Sequence, residues 1–582
     1  MLAGEEGPES GGGGDRVFQP VHEFSVTFEG TSAPSRFYTH LGSDCGPIEP
    51  GDRNLRDDLP ISWLQGGAAG RVHLNRATSG RAGMWHSLSG LAREKDRYLD
   101  FAKCYPYLRD EYQPRCVGMT VSARGEGILL LELKSPEGRV LWWATRELCT
   151  GDEWRELSFS WSPDDLRRVK FLNWVVEPGA NLSVGPIRLH IEMPAVPFEE
   201  RVFLASYAKL ARSHSAGDAF VREYAHLGAG ELDSIPASGL FCLATCAAHK
   251  MGVVRPAFAE QVLRKTHAAV SNLPRARGLL PGSVRKYGGK YRVHQGTEYS
   301  TIGTALYYHS MLLAAQLLWD GKTLAGLVRA VRSIEFDQLR DAGGYVVHGL
   351  ADDGRTPLAT SWRDWGGEAA LVLLLEHVAT GCMMRPKLDG AGKVRNGVGL
   401  SAEIQSLLFA DFSSDEPDAV TGVNWLGARR ALLAEQRSYF PRQWPGTEAA
   451  RLGFYGLSAG VGPGGVGQVV NGTASPGRAE LIHPHYVVMS GLVESDPSAV
   501  FTVLRAMESR GLFPPWGIVE NFTKDLERLP LLGSVNAAFE CLSAYHLWAR
   551  AARSPDEVYR AAEFCAFLWE AMREFYPHVV HW

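Results

Sequence analysis

Residues 194–211 read PAVPFEERVFLASYAKLA, and the chain changes character inside them. Pro194 and Pro197 interrupt what precedes. The apolar positions that follow, Val202, Leu204, Ala205, Ala208 and Leu210, recur at about the helical period of 3.6 residues. Upstream the period is two. Alternating segments at 116–123, 127–133, 140–144 and 156–161 predict strands, with a turn at Pro136, Glu137 and Gly138. Residues 166–191 predict two closing strands around a tight loop at Pro178 and Gly179. This pattern predicts a β-sandwich over 18–194, behind a flexible N-terminus at 1–17.

Downstream of residue 194 the chain reads as helix, in about a dozen segments: 198–213, 216–227, 236–250, 257–272, 301–318, 322–339, 366–380, 399–411, 424–438, 478–492, 497–510 and 534–573, the last as two. Short and long connections alternate between them, which suits paired helices closed into a ring. The expected fold class is therefore an N-terminal β-sandwich followed by an (α/α)6 toroid over 195–582. The long connections, 273–300, 341–366, 440–477 and 511–533, are rich in Gly, Pro, Trp and charge. Connections of this length usually carry function.

Composition narrows the field. The chain has 582 residues, with 60 Lys and Arg against 65 Asp and Glu, a formal charge of −5. Nothing in that balance would release counterions from a nucleic-acid backbone, so no nucleic-acid partner is expected. Nine scattered cysteines make neither a disulfide framework nor a zinc motif. The pair His483 and His485 is too closely spaced for a His-Glu-x-x-His site, so neither metal nor cofactor is expected. No apolar run is long enough to span a bilayer. The first fifteen residues are acidic and glycine-rich rather than signal-like, so the expected location is cytoplasmic as written, periplasmic or secreted if an export signal preceded it.

Two constellations carry the chemistry. Residues 352–354, Asp-Asp-Gly, predict a hairpin turn that leads to Trp362, Arg363, Asp364, Trp365 and then Glu368, at the head of the apolar run 369–375. A carboxylate there is favoured by the helix dipole, which is reason enough for it structurally. The flanking Trp362 and Trp365 point to a site, since a glycosidase needs aromatic faces for sugar and an acid kept protonated by desolvation. The second constellation, residues 514–522, holds Trp516, Glu520 and Asn521 in a Pro-rich loop. Glu368 and Glu520 are the expected catalytic pair. Trp362, Asp364, Trp365, Tyr455, His485, Trp516, Asn521 and Glu298 are the expected substrate contacts. The glycine-rich stretch 460–467 lacks the Gly-x-x-x-x-Gly-Lys-Ser/Thr pattern and reads as a substrate-facing loop, not a phosphate cradle. Ser300 or Thr301 reads as an N-cap.

The β-rich half resembles the jelly-roll modules attached to carbohydrate-active enzymes, with Trp142, Trp143, Trp154, Trp161 and Trp174 as rings for core or sugar. In the helical half, four segments in order resemble the glycoamylase-like (α/α)6 proteins of bacteria, which include endo-β-1,2-glucanases. Residues 297–306, TEYSTIGTAL, are similar to that family's Ser-Thr-Val-Asp-Thr-Ala-Leu, and 362–375 to its Trp-x-x-Tyr-Ser-Glu helix start. Residues 454–459 are similar to Phe-Gly-Leu-Thr-Ala, and 516–522 to Gly-Phe-Tyr-Asp-Ala-Phe. The resemblance spans about 278–548 and implies that Glu368 and Glu520 stand at the family's acidic positions. Three positions depart from it: Gly303 stands for Asp, Gly460 lies where a Ser-Asp pair is expected, and Glu520 replaces Asp. The function expected is a glycoside hydrolase or transglycosylase acting on an oligo- or polysaccharide through paired carboxylates, Glu368 as acid and Glu520 as base or nucleophile. The alternatives are a polysaccharide lyase using Tyr299 and His485 with Arg292, Arg363 and Arg478, and a glycan-binding protein without turnover.

Overall fold

The computed structural model describes residues 100–551, except 177–179, 215–216, 226–231, 364–366, 382–394, 410–414, 420–421, 463–466, 475–476, 479, 515–516 and 529–530; of residues 1–99 it describes four strands. Those are β1 (Phe18–Val26), β2 (Ser35–His40), β3 (Val72–Asn75) and β4 (Arg81–Ser87), followed by β5 (Arg115–Lys134), β6 (Val140–Ser160), β7 (Phe171–Val176) and β8 (Asn181–Pro194). All pair antiparallel in one eight-stranded sheet. The expected sandwich depends largely on residues 1–99, most of which lie outside the described ones, as does the N-terminus 1–17.

The segments 116–123 and 127–133 are one long strand, because the register shifts on both sides of Gly125 make a bulge rather than a turn. A side chain at Gly127 would meet Ala180 at 2.5 Å, so only glycine allows that crossing. The turn at 136–138 is present, with Gly138 at φ 82. The two closing strands do not pair with each other: β8 lies along residues 115–126 of β5 and β7 along 129–134. Met119, Val121, Leu129, Leu131 and Leu133 of β5 are buried.

Twelve α-helices follow among the described residues. They are α1 (Phe198–Ala211), α2 (Ile235–Lys250), α3 (Pro256–Ser271), α4 (Thr301–Leu317), α5 (Gly321–Val331), α6 (Glu368–Thr380), α7 (Gly399–Leu408), α8 (Trp425–Gln443), α9 (Glu448–Leu452), α10 (Pro484–Met489), α11 (Pro497–Ser509) and α12 (Ser534–Ala551). Helices α2, α4, α6, α7, α10 and α12 touch in that order, and α12 closes on α2. These six are buried nearly all round, whereas α3, α5 and α11 bury a single face. That is the difference between an inner and an outer ring of helices. No described helix is long and apolar enough to cross a membrane.

The helix expected at 216–227 is absent among its described residues. Val221 and Arg222 form a short strand, and their amides bond to Ser238 Oγ at 3.0 Å and the Ser213 carbonyl at 2.8 Å, outside any helical ladder. The helix expected at 478–492 begins only at Pro484, since Leu481 and Ile482 pair with Thr523 and Phe522. The second helix expected within 534–573 lies outside the described residues. The change of period near 194–197 does not break the core: Tyr107 stacks on Phe258 with ring centres 4.3 Å apart, and the Arg109 amide bonds to the Val253 carbonyl at 3.0 Å.

Candidate active site

The loops that precede the six inner helices are stitched together at one end of the ring. The short strands there are β9 (Val221–Arg222), β10 (Asp233–Ser234), β11 (Ser283–Tyr287), β12 (Lys290–Val293), β13 (Tyr299–Ser300), β14 (Gly349–Leu350), β15 (Ala459–Val461), β16 (Gln468–Val470), β17 (Leu481–Ile482) and β18 (Phe522–Thr523). Pairing β10 with β11 joins the approach to α2 to that of α4, and β13 with β14 joins α4 to α6. The Ala474 amide bonds to the Asn396 carbonyl, joining α7 to α10; β17 with β18 joins α10 to α12. Ser534 Oγ bonds to the Glu223 carbonyl at 2.7 Å, which joins α12 back to the approach to α2. The six inner helices therefore begin at one mouth of the ring, where the positive ends of their dipoles favour negative charge.

Glu368 is the first residue of α6 and is half-buried at this mouth. Its position depends on Gly367, where φ is 44 and a Cβ would fall 1.8 Å from the Ser401 carbonyl oxygen of α7. Gly367→Ala should therefore cost about 1–3 kcal/mol by overpacking. A urea midpoint unchanged from the parent would contradict that.

Beside Glu368 in the ring stands the start of α4. Ser300 caps it, its Oγ accepting from the Gly303 amide at 3.2 Å. Trp362 is half-buried, donates Nε1–H to Thr301 Oγ1 at 2.9 Å and lies against His348 with ring centres 4.0 Å apart. Glu298 keeps an exposed edge while desolvation of its flank pushes its carboxyl above the usual range. The expected turn at 352–354 is present, Asp353 accepting from the amides of Arg355 and Thr356. Asp364, Trp365 and Trp516 lie outside the described residues.

Glu520 is held quite differently from the reacting carboxylate expected of it. Its side chain is wholly buried: Oε1 accepts from Asn536 Nδ2 at 2.6 Å and Oε2 from the Gly533 amide at 3.3 Å, with Lys209 Nζ at 4.0 Å. It thus supplies the negative charge at the start of α12. Lys209, on α1, bonds Glu540 Oε2 at 2.7 Å, and Ser206 Oγ bonds Glu540 Oε1 at 2.9 Å. One ammonium serves two buried carboxylates, and burial pushes the Glu540 carboxyl up. With its oxygens occupied and no exposed surface, Glu520 is a structural hub in this arrangement.

Three expected substrate contacts are also internal. Tyr455 is buried with its hydroxyl 2.9 Å from Ser490 Oγ, and Asn521 donates to the Val461 carbonyl at 2.9 Å. His485 is buried with Nε2 3.0 Å from Ser458 Oγ, which also accepts from the Leu400 amide at 3.0 Å. The stretch 460–467 includes part of the β15–β16 hairpin, and residues 463–466 lie outside the described ones. The two departing glycines differ: a Cβ at Gly303 has only ordinary contacts, the nearest at 3.4 Å, whereas one at Gly460 would lie 2.3 Å from His483 Nδ1.

Burial holds three histidines neutral. His309 is pushed down to about 4 and His483 to about 3, and His485 lies well below its usual value. A depressed folded pKa means that the unfolded chain binds more protons below about 6.5, so their contribution falls as pH drops from 6.5 toward 4. His309 Nε2 donates to the Leu371 carbonyl at 2.8 Å, a bond that glutamine can imitate. His309→Gln is expected to flatten the fall in stability by about 1.4 kcal/mol per pH unit between pH 6 and 4.5. Denaturant curves with parallel pH slopes for parent and variant would refute this.

No family model matches the chain, and no curated protein matches its sequence. Solved structures match its fold. An endo-β-1,2-glucanase of Chitinophaga pinensis is 11% identical, with a TM-score of 0.51 over 65% of this chain and 98% of that one. A β-1,2-glucanase of Parabacteroides distasonis is 8% identical, with a TM-score of 0.54 over 96% of this chain and 99% of that one. A candidate glucoamylase of Bacteroides caccae is 13% identical, with a TM-score of 0.52 over 65% of this chain and 97% of that one. The chain thus has the mixed sheet-and-helix fold of glucoamylase-like toroid proteins, and the ring of inner helices expected from its sequence is the part that carries its candidate site.

Proposed function

We propose that this protein is a glycoside hydrolase or transglycosylase acting on an oligo- or polysaccharide, β-glucan-like in its backbone, at the mouth of the helical ring. One observation carries the reading: Glu298 and Glu368, neither fully buried, stand at the starts of neighbouring inner helices beside the half-buried Trp362. Their surroundings differ in the way that acid and base require. Desolvation raises the Glu298 carboxyl, which favours it as the group that protonates the departing glycosidic oxygen. Glu368, at the positive end of α6, carries the charge that activates the incoming water or sugar hydroxyl. Trp362 offers its face to a sugar ring. This moves the acid role from Glu368 to Glu298 and releases Glu520 from the chemistry. Residues 18–194 are read as an accessory module, on which Trp143, 61% exposed, is a ring open to glycan.

The test is release of new reducing ends from a panel of linear and cyclic glucans of defined linkage. The parent should release them from at least one, and Glu298→Gln should lose the acidic requirement of its pH profile along with turnover. The burial of Glu520, with glycine at 303 and 460, favours a second reading, glycan binding without turnover; saturable binding to a panel member with no product would support it instead. The lyase reading is not favoured, because Tyr299 and His485 are both buried.

A further inference from the structure

Thr301 opens α4 but does not cap it, since Ser300 does, and the Thr301 amide bonds to the His348 carbonyl at 2.9 Å. Starting the helix therefore leaves the Thr301 hydroxyl without a task. The residue is nonetheless only 1% exposed, and its hydroxyl makes bonds of both kinds. The proton reaches two carbonyls of the hairpin ahead of α6, those of His348 at 2.9 Å and Val347 at 3.1 Å. The oxygen accepts the Trp362 Nε1–H at 2.9 Å. The other restraints on Trp362 run through the same hairpin. Its amide bonds to the Val346 carbonyl at 2.8 Å, and His348 lies against its ring with centres 4.0 Å apart and planes inclined at 40°. Thr360 Oγ1 lies 2.9 Å from His348 Nδ1, which holds the imidazole in turn. Thr301 thus takes the N–H edge of the indole and His348 one face, in a side chain that is only half-buried.

A half-exposed indole N–H can be satisfied by water, which leaves the ring free to change rotamer. Turning it inward to a buried hydroxyl removes that freedom before any ligand arrives, and a side chain ordered in advance lowers the cost of binding. Stacking on a sugar depends on this, because the negative face of the ring has to meet the C–H bonds of the pyranose flat. We infer that Thr301 is a positioning residue of the glycan site: its hydroxyl, through the Trp362 N–H, holds that ring ready for a neutral sugar unit to stack on the face that His348 leaves. The inference rests on the mouth being a glycan site and adds how its stacking ring is set. Thr301 itself touches no sugar; it acts through Trp362.

The experiment is binding of the full chain, carrying E368Q to suppress turnover, to linear and cyclic β-1,2-, β-1,3- and β-1,4-glucans by calorimetry. On the glucan bound most tightly, T301V should weaken binding about three- to tenfold, as expected for one lost hydrogen bond. T301A should repeat that result, and T301S, which keeps the hydroxyl, should bind within about twofold of the unsubstituted site. W362F keeps an aromatic ring without the N–H, so adding T301V to it should cost no further binding. The Trp362 indole N–H, identified in an isotope-labelled tryptophan spectrum by its loss in W362F, should exchange slowly with water when residue 301 is threonine or serine and fast when it is valine. If Thr301 served only the hairpin, T301V would weaken binding by the same factor with and without W362F, and that result would overturn the inference. Unchanged exchange of the indole N–H in T301V, or equal affinities of T301V and T301S, would overturn it as well. Absence of binding to every glucan before residue 301 is changed would overturn the glycan reading and this inference with it, so the two failures are distinguishable.

Discussion

Glu368→Gln is expected to leave the fold intact and to lower turnover on a responsive glycan by about 10²- to 10⁴-fold, the range that general acid–base groups contribute. The substitution keeps size and hydrogen-bonding capacity, and Gly367 fixes the start of α6 whatever residue follows it. The helix loses a favourable charge in its first turn, worth about 0.3–1 kcal/mol, so the melting temperature should move little. Loss of turnover with an unchanged KM would mean that Glu368 acts in the transition state; a raised KM at constant kcat would mean that it only holds substrate. Near-parental turnover would remove it from the chemistry.

Lys209→Met is expected to produce the largest loss of stability, about 3–5 kcal/mol, because it leaves Glu540 and Glu520 buried without their shared cation. Both carboxylates are inaccessible to solvent, so neither can be hydrated without opening the junction of α1 and α12. Lys209→Met combined with Glu540→Gln should recover part of the loss by removing one uncompensated charge, which a denaturant-based double-mutant cycle would measure. Additive losses would mean that the ammonium and the carboxylates are energetically independent. The same cluster gives Glu520→Gln a different signature from Glu368→Gln: lower stability, with activity following the folded fraction.

Much of the ring could be read from periodicity, because an inner helix must be apolar nearly all round and an outer one only on a stripe. The cap at Ser300, the turn at Asp353 and the start of α6 at Glu368 were also legible, since each depends on neighbours close in sequence. What the local sequence does not show depends on distant partners. A carboxylate in a Pro-rich aromatic loop has the same local sequence whether it meets a substrate or, as Glu520 does, the amides at the start of a helix more than ten residues later. The partners of Tyr455, Asn521 and His485, namely Ser490, Val461 and Ser458, are likewise brought to them by the ring and leave no mark in the local sequence. One signal of the hub was present and missed. Lys209 and Glu540 are the only Asp, Glu, Lys or Arg in the stretches 202–211 and 535–549, and buried charges of that kind are almost never unpaired. The gap between 116–123 and 127–133 is not a strand end, since the register shifts around Gly125 and β5 continues.

The central claim is that substrate lies against the starts of α4 and α6. The most direct measurement is a crystal structure of the Glu368→Gln variant with a bound oligosaccharide chosen from the panel. The account predicts a glycosidic oxygen within hydrogen-bonding reach of the Glu298 carboxyl, position 368 close to the adjoining anomeric carbon, and no contact with Glu520. A chain bound on the sheet alone, or one reaching Glu520 with Glu298 and position 368 both free of sugar, would contradict it.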